Sequence, residues 1–202
     1  MVAHPIKRPP TRTLRRLSRG VSGLLCLLIL SGCESHDGTG EWYTNWDLAG
    51  GCTSDSGGDT RPSGAGTAVN VCERVAEQPW IWVVYAAPWC NASQSQAQQI
   101  RALQQNASAE LAVYTVLTSG QDPFSPATVS QARSWASRYG LDAHHVLAEE
   151  STRTIPQHLL IGPDGRTFYR YVGFLSEGAI NEVLGDFREG IRVPNVRELP
   201  RP

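Results

Sequence analysis

Apolar residues along this chain fall into two patterns, and the change from one to the other marks the elements. "WIWVVYA" (80–86) is an unbroken run of β-branched and aromatic residues, the pattern of a strand buried on both faces. "LAVYTVLT" (111–118) repeats it, and "QHLLIG" (157–162) predicts a third strand. "AVNVC" (68–72) predicts a short one. Between these runs the period lengthens to that of a helix. Ala97, Ile100 and Leu103 recur in "NASQSQAQQIRALQQ", directly after Cys90. Val129, Ala132, Trp135, Ala136 and Tyr139 share a helical face, with Ser125 and Pro126 predicted as N-cap and first-turn residues and Gly140 as the stop. Ile180, Val183, Leu184 and Phe187 line a last helix, capped by Ser176 and ended by Gly190. "PDG" (163–165) predicts a hairpin turn into "RTFYRYVG". The order strand, helix, strand, helix, strand, hairpin strand, helix predicts an α/β domain, a mixed central sheet with helices on both faces.

The N-terminal part has a different character. Residues 1–20 carry Lys7, Arg8, Arg12, Arg15, Arg16 and Arg19 and no acid, and the apolar run "VSGLLCLLIL" follows. A basic segment followed by a short apolar one predicts a secretory signal over residues 1–32. The run is about half of the ~20 residues that a membrane span needs. It ends in "LSGC", which resembles the lipobox of bacterial lipoproteins. That resemblance implies cleavage before Cys33, diacylation of Cys33 and a mature chain tethered to a membrane of the bacterial cell envelope. Glu34 does not by itself assign the inner or the outer membrane. Residues 33–66, rich in Gly, Ser, Thr and Asp, read as a flexible tether. Trp42, Tyr43 and Trp46 are too apolar for free linker and are expected to pack on the domain. The domain is expected over 67–190, and the Pro-rich tail over 191–202 along its surface.

Removing the signal changes the charge. It takes six of the 18 basic residues, including the one lysine, and none of the 19 acidic residues, so the mature chain has twelve basic against nineteen acidic residues, a net charge of −7. An acidic chain with no basic cluster excludes nucleic acid as the expected partner.

Five cysteines are present; Cys26 leaves with the signal and Cys33 is assigned to lipid. Cys52, Cys72 and Cys90 remain, an odd number in an oxidising compartment. The first expectation is a Cys52–Cys72 pair that leaves Cys90 free. The rivals, Cys52–Cys90 and Cys72–Cys90, would make Cys90 part of a closed redox pair.

The order of elements, with "APWCNAS" at the end of the first central strand, resembles the thioredoxin superfamily, and within it TlpA-like or redoxin-type thiol–disulfide proteins, over roughly residues 68–188. Trp89 and Cys90 match the W-C-x-x-C site, but Ser93 stands where the second cysteine belongs. "RTIPQHLLIGPDGRT" resembles the segment that carries the family's cis-proline, which falls on Pro156. The helix in "SPATVSQARSWASRYGL" matches the insert before it. The family often holds a buried acid six residues before its nucleophile, and here that position is Val84.

A thiolate, not a thiol, attacks a disulfide, and a cysteine at a helix N-terminus has its thiolate stabilised by unpaired N–H groups and the helix dipole. Cys90, just ahead of a predicted helix, is so placed. Trp89 would cover it, and by the resemblance Ile155–Pro156 would face it. Ser93 cannot resolve a mixed disulfide, although its hydroxyl can donate to the Cys90 sulfur. Three outcomes stay open: monothiol exchange resolved by an external thiol, resolution by Cys52 or Cys72, or a domain that binds a peptide strand without reacting. Partners are accordingly protein thiols and disulfides or an external reductant, with the membrane reached through Cys33, and no cofactor or metal is called for. Adjacent His144 and His145 point apart on a strand or helix. His158 follows Pro156 by two residues and is expected near Cys90. A Cys with a His is similar to Sco-type copper chaperones, but those carry two cysteines in a C-x-x-x-C. The Pro and Thr that precede a peroxiredoxin cysteine are absent.

Overall fold

A computed structural model describes residues 60–123, 125–149 and 154–192. Within them the first long apolar run becomes strand β3 (Trp80–Ala86), and all seven of its residues are buried. Its side chains alternate between two cores. Trp80, Trp82, Val84 and Ala86 enter one cluster, and Ile81, Val83 and Tyr85 enter the other. This is the two-faced burial that a continuous apolar strand requires.

Two short strands precede β3: β1 (Thr60–Pro62) and β2 (Ala68–Asn70), paired antiparallel. A 3-10 helix, Val71–Ala76, follows β2. After β3 come helix α1 (Asn91–Asn106), strand β4 (Leu111–Leu117), helix α2 (Val129–Tyr139), strand β5 (Val146–Ala148), the hairpin strands β6 (Gln157–Ile161) and β7 (Thr167–Val172), and helix α3 (Glu177–Arg188). The larger sheet has the order β5-β4-β3-β6-β7. β3 pairs parallel with β4 and antiparallel with β6, so the sheet is mixed, as its sequence predicts.

Strand order also decides where the helices go. β3 to β4 and β4 to β5 are successive parallel crossovers in one direction across the sheet. Right-handed crossovers of this kind put their helices on one face. Ile100 and Leu103 of α1, Trp135 of α2 and Leu184 of α3 accordingly share the cluster that contains Trp82. The opposite face is covered by the β1–β2 hairpin and the 3-10 helix, whose Val69 and Val71 join Ile81, Val83 and Tyr85. Helices thus flank both faces, α-helices on one and the 3-10 helix on the other.

The N-terminal cover is tied down by polar contacts. Arg61 Nε donates to Glu149 Oε2 at 2.8 Å, and both side chains are almost fully buried. Desolvation makes a buried pair a weak net stabiliser, but losing one partner strands the other. Ser63 bridges to Leu147 on the β5 edge. Gly64 N–H donates to Val146 O at 2.7 Å, and Arg133 Nε donates to Gly64 O at 2.9 Å. A Cβ on Gly64 would meet the Arg133 backbone nitrogen at 2.8 Å, so only glycine lets this backbone approach α2.

Several expectations are corrected. Residues 60–66, read from composition as the end of the tether, lie in the fold. Strand "AVNVC" stops at Asn70, whose Oδ1 accepts from Cys72 N–H at 3.0 Å and opens the 3-10 helix. Thr128, not Ser125, caps α2. Its Oγ1 accepts from Gln131 N–H while Gln131 Oε1 accepts from Thr128 N–H, a reciprocal capping box. Ser125 Oγ instead donates to Asp122 O at 2.6 Å. Strand β5 was hidden by its three-residue length. Gly140, at φ 67°, ends α2 in the left-handed region, and Ser176 caps α3, both as predicted. The signal segment, Cys33, Trp42, Tyr43, Trp46, Cys52 and the tail beyond Arg192 lie outside the described residues.

Candidate functional site

Strand β3 ends at Ala86, and the chain turns through Pro88 and Trp89 into α1. Cys90 is the N-cap of that helix, with extended backbone angles (φ −91°, ψ 113°). Its sulfur occupies the place of a capping oxygen and accepts from Ser93 N–H at 3.4 Å. Gln94 Nε2 pins the turn by donating to Pro88 O at 2.8 Å. Half-buried Trp89 packs on the cluster containing Cys90, and its indole N–H donates to Ser119 Oγ at 2.8 Å, which ties it to the loop after β4.

The Ile155–Pro156 peptide bond is cis. Ile155 lies in the cluster of Cys90, and Pro156 O accepts from Gly173 N–H at 2.8 Å. Gln96 makes two further ties: its Nε2 donates to Leu175 O and its Oε1 accepts from Leu175 N–H, both at 2.8 Å. They fasten the loop after β7 to the first turns of α1. Sequence reasoning passed over Ser119 and Gln96. A glutamine beside Ala97 and in register with Ile100 and Leu103 on the apolar stripe was the available sign.

Cys90 is completely buried, Cys72 is partly exposed, and both are disulfide-bonded. This corrects the expectation of a free Cys90. Cys72, opening the 3-10 helix, packs against the cluster that holds Cys90.

No protein-family model and no curated protein matches the sequence. Solved structures do. The pneumococcal exposed lipoprotein thioredoxin of Streptococcus pneumoniae aligns over 63% of this chain and 97% of its own, with TM-score 0.51 and 18% identity. A thiol:disulfide interchange protein of the thioredoxin family from Chlorobium tepidum covers 62% and 90%, with TM-score 0.50 and 13% identity. A hypothetical protein from Sinorhizobium meliloti covers 70% and 85%, with TM-score 0.56 and 12% identity.

The chain has a thioredoxin fold.

Within this thioredoxin fold, position 93 departs from the two-cysteine motif. The Ser93 hydroxyl is buried and has no hydrogen-bond partner among the described residues, so it is the backbone N–H of Ser93, not the expected hydroxyl, that reaches the Cys90 sulfur. Val84 has Thr115 and His158 as its cross-strand neighbours. His158 therefore shares the face of Trp82 and Val84, away from the cluster of Cys90, which corrects its expected place. Trp82 Nε1 donates to His158 Nδ1 at 3.1 Å, which leaves the ring proton on Nε2. Burial pushes the imidazole pKa down to about 3, and the nearby Gly173 backbone pulls weakly the other way without closing a hydrogen bond to Nε2. The group beside position 84 is thus a neutral imidazole, a poor substitute for a carboxylate base.

His144 and His145 sit in a 3-10 turn, Ala143–His145, and line a pocket of about 300 Å³ with Thr67, Arg74 and Tyr114. Burial lowers the His145 pKa and raises that of Tyr114, whose ring lies 4.7 Å from it. Among the described residues no three His, Cys, Asp or Glu side chains gather as metal ligands, and Cys90 and His158 face different cores, so the geometry does not assemble a Cys–His copper site.

Proposed function

We propose that this protein is an extracytoplasmic, lipid-anchored thiol–disulfide exchange protein whose Cys90 works with a second sulfur from outside its Cys-x-x-Ser motif. One observation carries the reading: Cys90 is disulfide-bonded although the motif offers it only Ser93. The resolving sulfur is assigned to Cys72, which is also disulfide-bonded and packs against the same cluster. The site is then an atypical dithiol rather than a monothiol. Trp89 and the cis Ile155–Pro156 bond flank it, and protein thiols and disulfides are its substrates. The leader ending before Cys33, and the lipoprotein thioredoxin among the similar structures, support export and anchoring.

Peptide mapping of the mature protein without reduction tests this directly. It should give one cross-linked Cys72–Cys90 peptide and a diacylated Cys33. With dithiothreitol as reductant, the protein should reduce insulin, and Cys90→Ala should not. The complete burial of Cys90 favours one other reading, a peptide-binding domain whose disulfide is structural. A correctly paired protein with no insulin turnover would establish that reading instead.

A further inference from the structure

The motif order makes Cys90 the expected point of attack, but exposure points to the other sulfur. Cys90 is 0% exposed, in a buried cluster with Tyr85, Ala87 and Ile155 against which Trp89 packs. Cys72 is partly exposed at the start of a surface 3-10 helix, where Glu73 and Arg74 are open to solvent. Exchange needs a thiolate to approach one sulfur in line with the bond that breaks, and its rate rises with access and with a good leaving thiolate. Cys90 meets the second requirement. Its sulfur already accepts the Ser93 N–H at 3.4 Å, at the N-terminus of a sixteen-residue helix. The two demands are thus divided between the two cysteines.

We propose that substrate thiolate attacks Cys72 and that Cys90 is the internal leaving group. This rests on the assignment of Cys72 and Cys90 to one disulfide. A substrate thiolate forms a bond to Cys72 Sγ, the Cys72–Cys90 bond breaks, and its electron pair leaves on Cys90, held by the Ser93 N–H. A second thiolate of the same substrate then attacks the substrate sulfur of the mixed disulfide and releases Cys72 as thiolate. The substrate dithiol loses two electrons and becomes a disulfide, the protein disulfide gains them, and solvent takes the substrate's two protons. The substrate class is a dithiol of an exported protein. In this scheme α1 activates the sulfur that departs, and the flanking 3-10 helix selects what docks.

Reduced glutathione, a monothiol with no second thiolate of its own to close the exchange, is the probe, and its first adduct is trapped by quenching early. The native mature protein is mixed with it, acid-quenched at short times and peptide-mapped. The adduct should appear on Cys72 in at least about tenfold excess over Cys90, as access and leaving-group stability require. Adduct predominantly on Cys90 overturns the order of attack while leaving the pairing intact. A map of the untreated protein that joins Cys72 or Cys90 to Cys52 overturns the pairing and, with it, this proposal.

Discussion

The two faces of the central sheet are built by different means. On the Trp82 face, α-helices lay regular apolar stripes against the strands, with α2 and α3 closed by side-chain caps. Among the described residues, the cover on the Tyr85 face is two three-residue strands and one 3-10 helix, held by a buried ion pair, backbone bonds from Gly64 and disulfide-bonded Cys72. Regular helices can hold a sheet by area alone. A short irregular cover buries too little, so it depends on a few specific ties, each of which can be cut. Cys90 belongs to the second face. Under the proposed Cys72–Cys90 pairing, chemistry at its sulfur changes one of the ties, whereas chemistry on the other face would not.

The difference can be attacked from either side. Trp82→Ala removes a fully buried indole and leaves a cavity under the helices, with an expected loss of about 4 kcal/mol in guanidinium unfolding. Val71→Ala on the other face should cost about 2 kcal/mol, and equal losses would erase the contrast. Glu149→Ala removes the carboxylate that buried Arg61 Nε donates to and should cost about 3 kcal/mol. Amide exchange should then quicken over residues 60–70 while α1 and α3 stay protected. Reduction of the proposed Cys72–Cys90 disulfide should cost at least about 2 kcal/mol, with faster exchange again confined to the irregular cover. If α3 loosened equally, the two faces would be one cooperative unit.

Acid should act through the helical face. His158 is neutral when folded, with a pKa of about 3, and regains its ordinary value near 6.5 when unfolded. The unfolded chain then binds the extra proton between these values, so stability contributed by neutral His158 is complete above pH 6.5 and is lost progressively toward pH 3. The slope is at most about 1.4 kcal/mol per pH unit, and His158→Gln should flatten it in urea midpoints measured against pH. Smallest is Thr128→Ala, which removes one half of the capping box and should cost about 1 kcal/mol.

What could be read from the sequence follows the same division. The strands at 80–86, 111–117 and 157–161 and the three helices were legible because burial imposes a period, and five or more residues suffice to display one. Strands of three residues display none: β1 and β5 went unread, and β2 was read only as part of a longer stretch, 68–72. The cap of α2 was misplaced by three residues because Ser125-Pro126 and Thr128 carry competing signals, and only the Gln131 partner decides between them. Trp89, Cys90 and the cis bond at Pro156 follow from a short motif and a resemblance. The state of Cys90 did not, because three thiols allow three pairings and composition cannot rank them. His158 went to the wrong face because a residue two beyond Pro156 is close along the chain while strand alternation turns it away.

Gly64 gives the irregular cover a genetic signature. With Arg61 and Ser63 it occupies a stretch whose Gly, Ser and Pro content resembles spacer, yet its Cα is wedged against the backbone of α2. In a saturation library scored for folded protein, positions 65 and 66 should accept most residues that tolerate their backbone angles. Position 64 should accept none, because even alanine collides with main chain rather than with a side chain that can step aside. Shortening this "linker" by a residue would be as disruptive as cutting into a core strand, so fusion and truncation boundaries belong before Thr60.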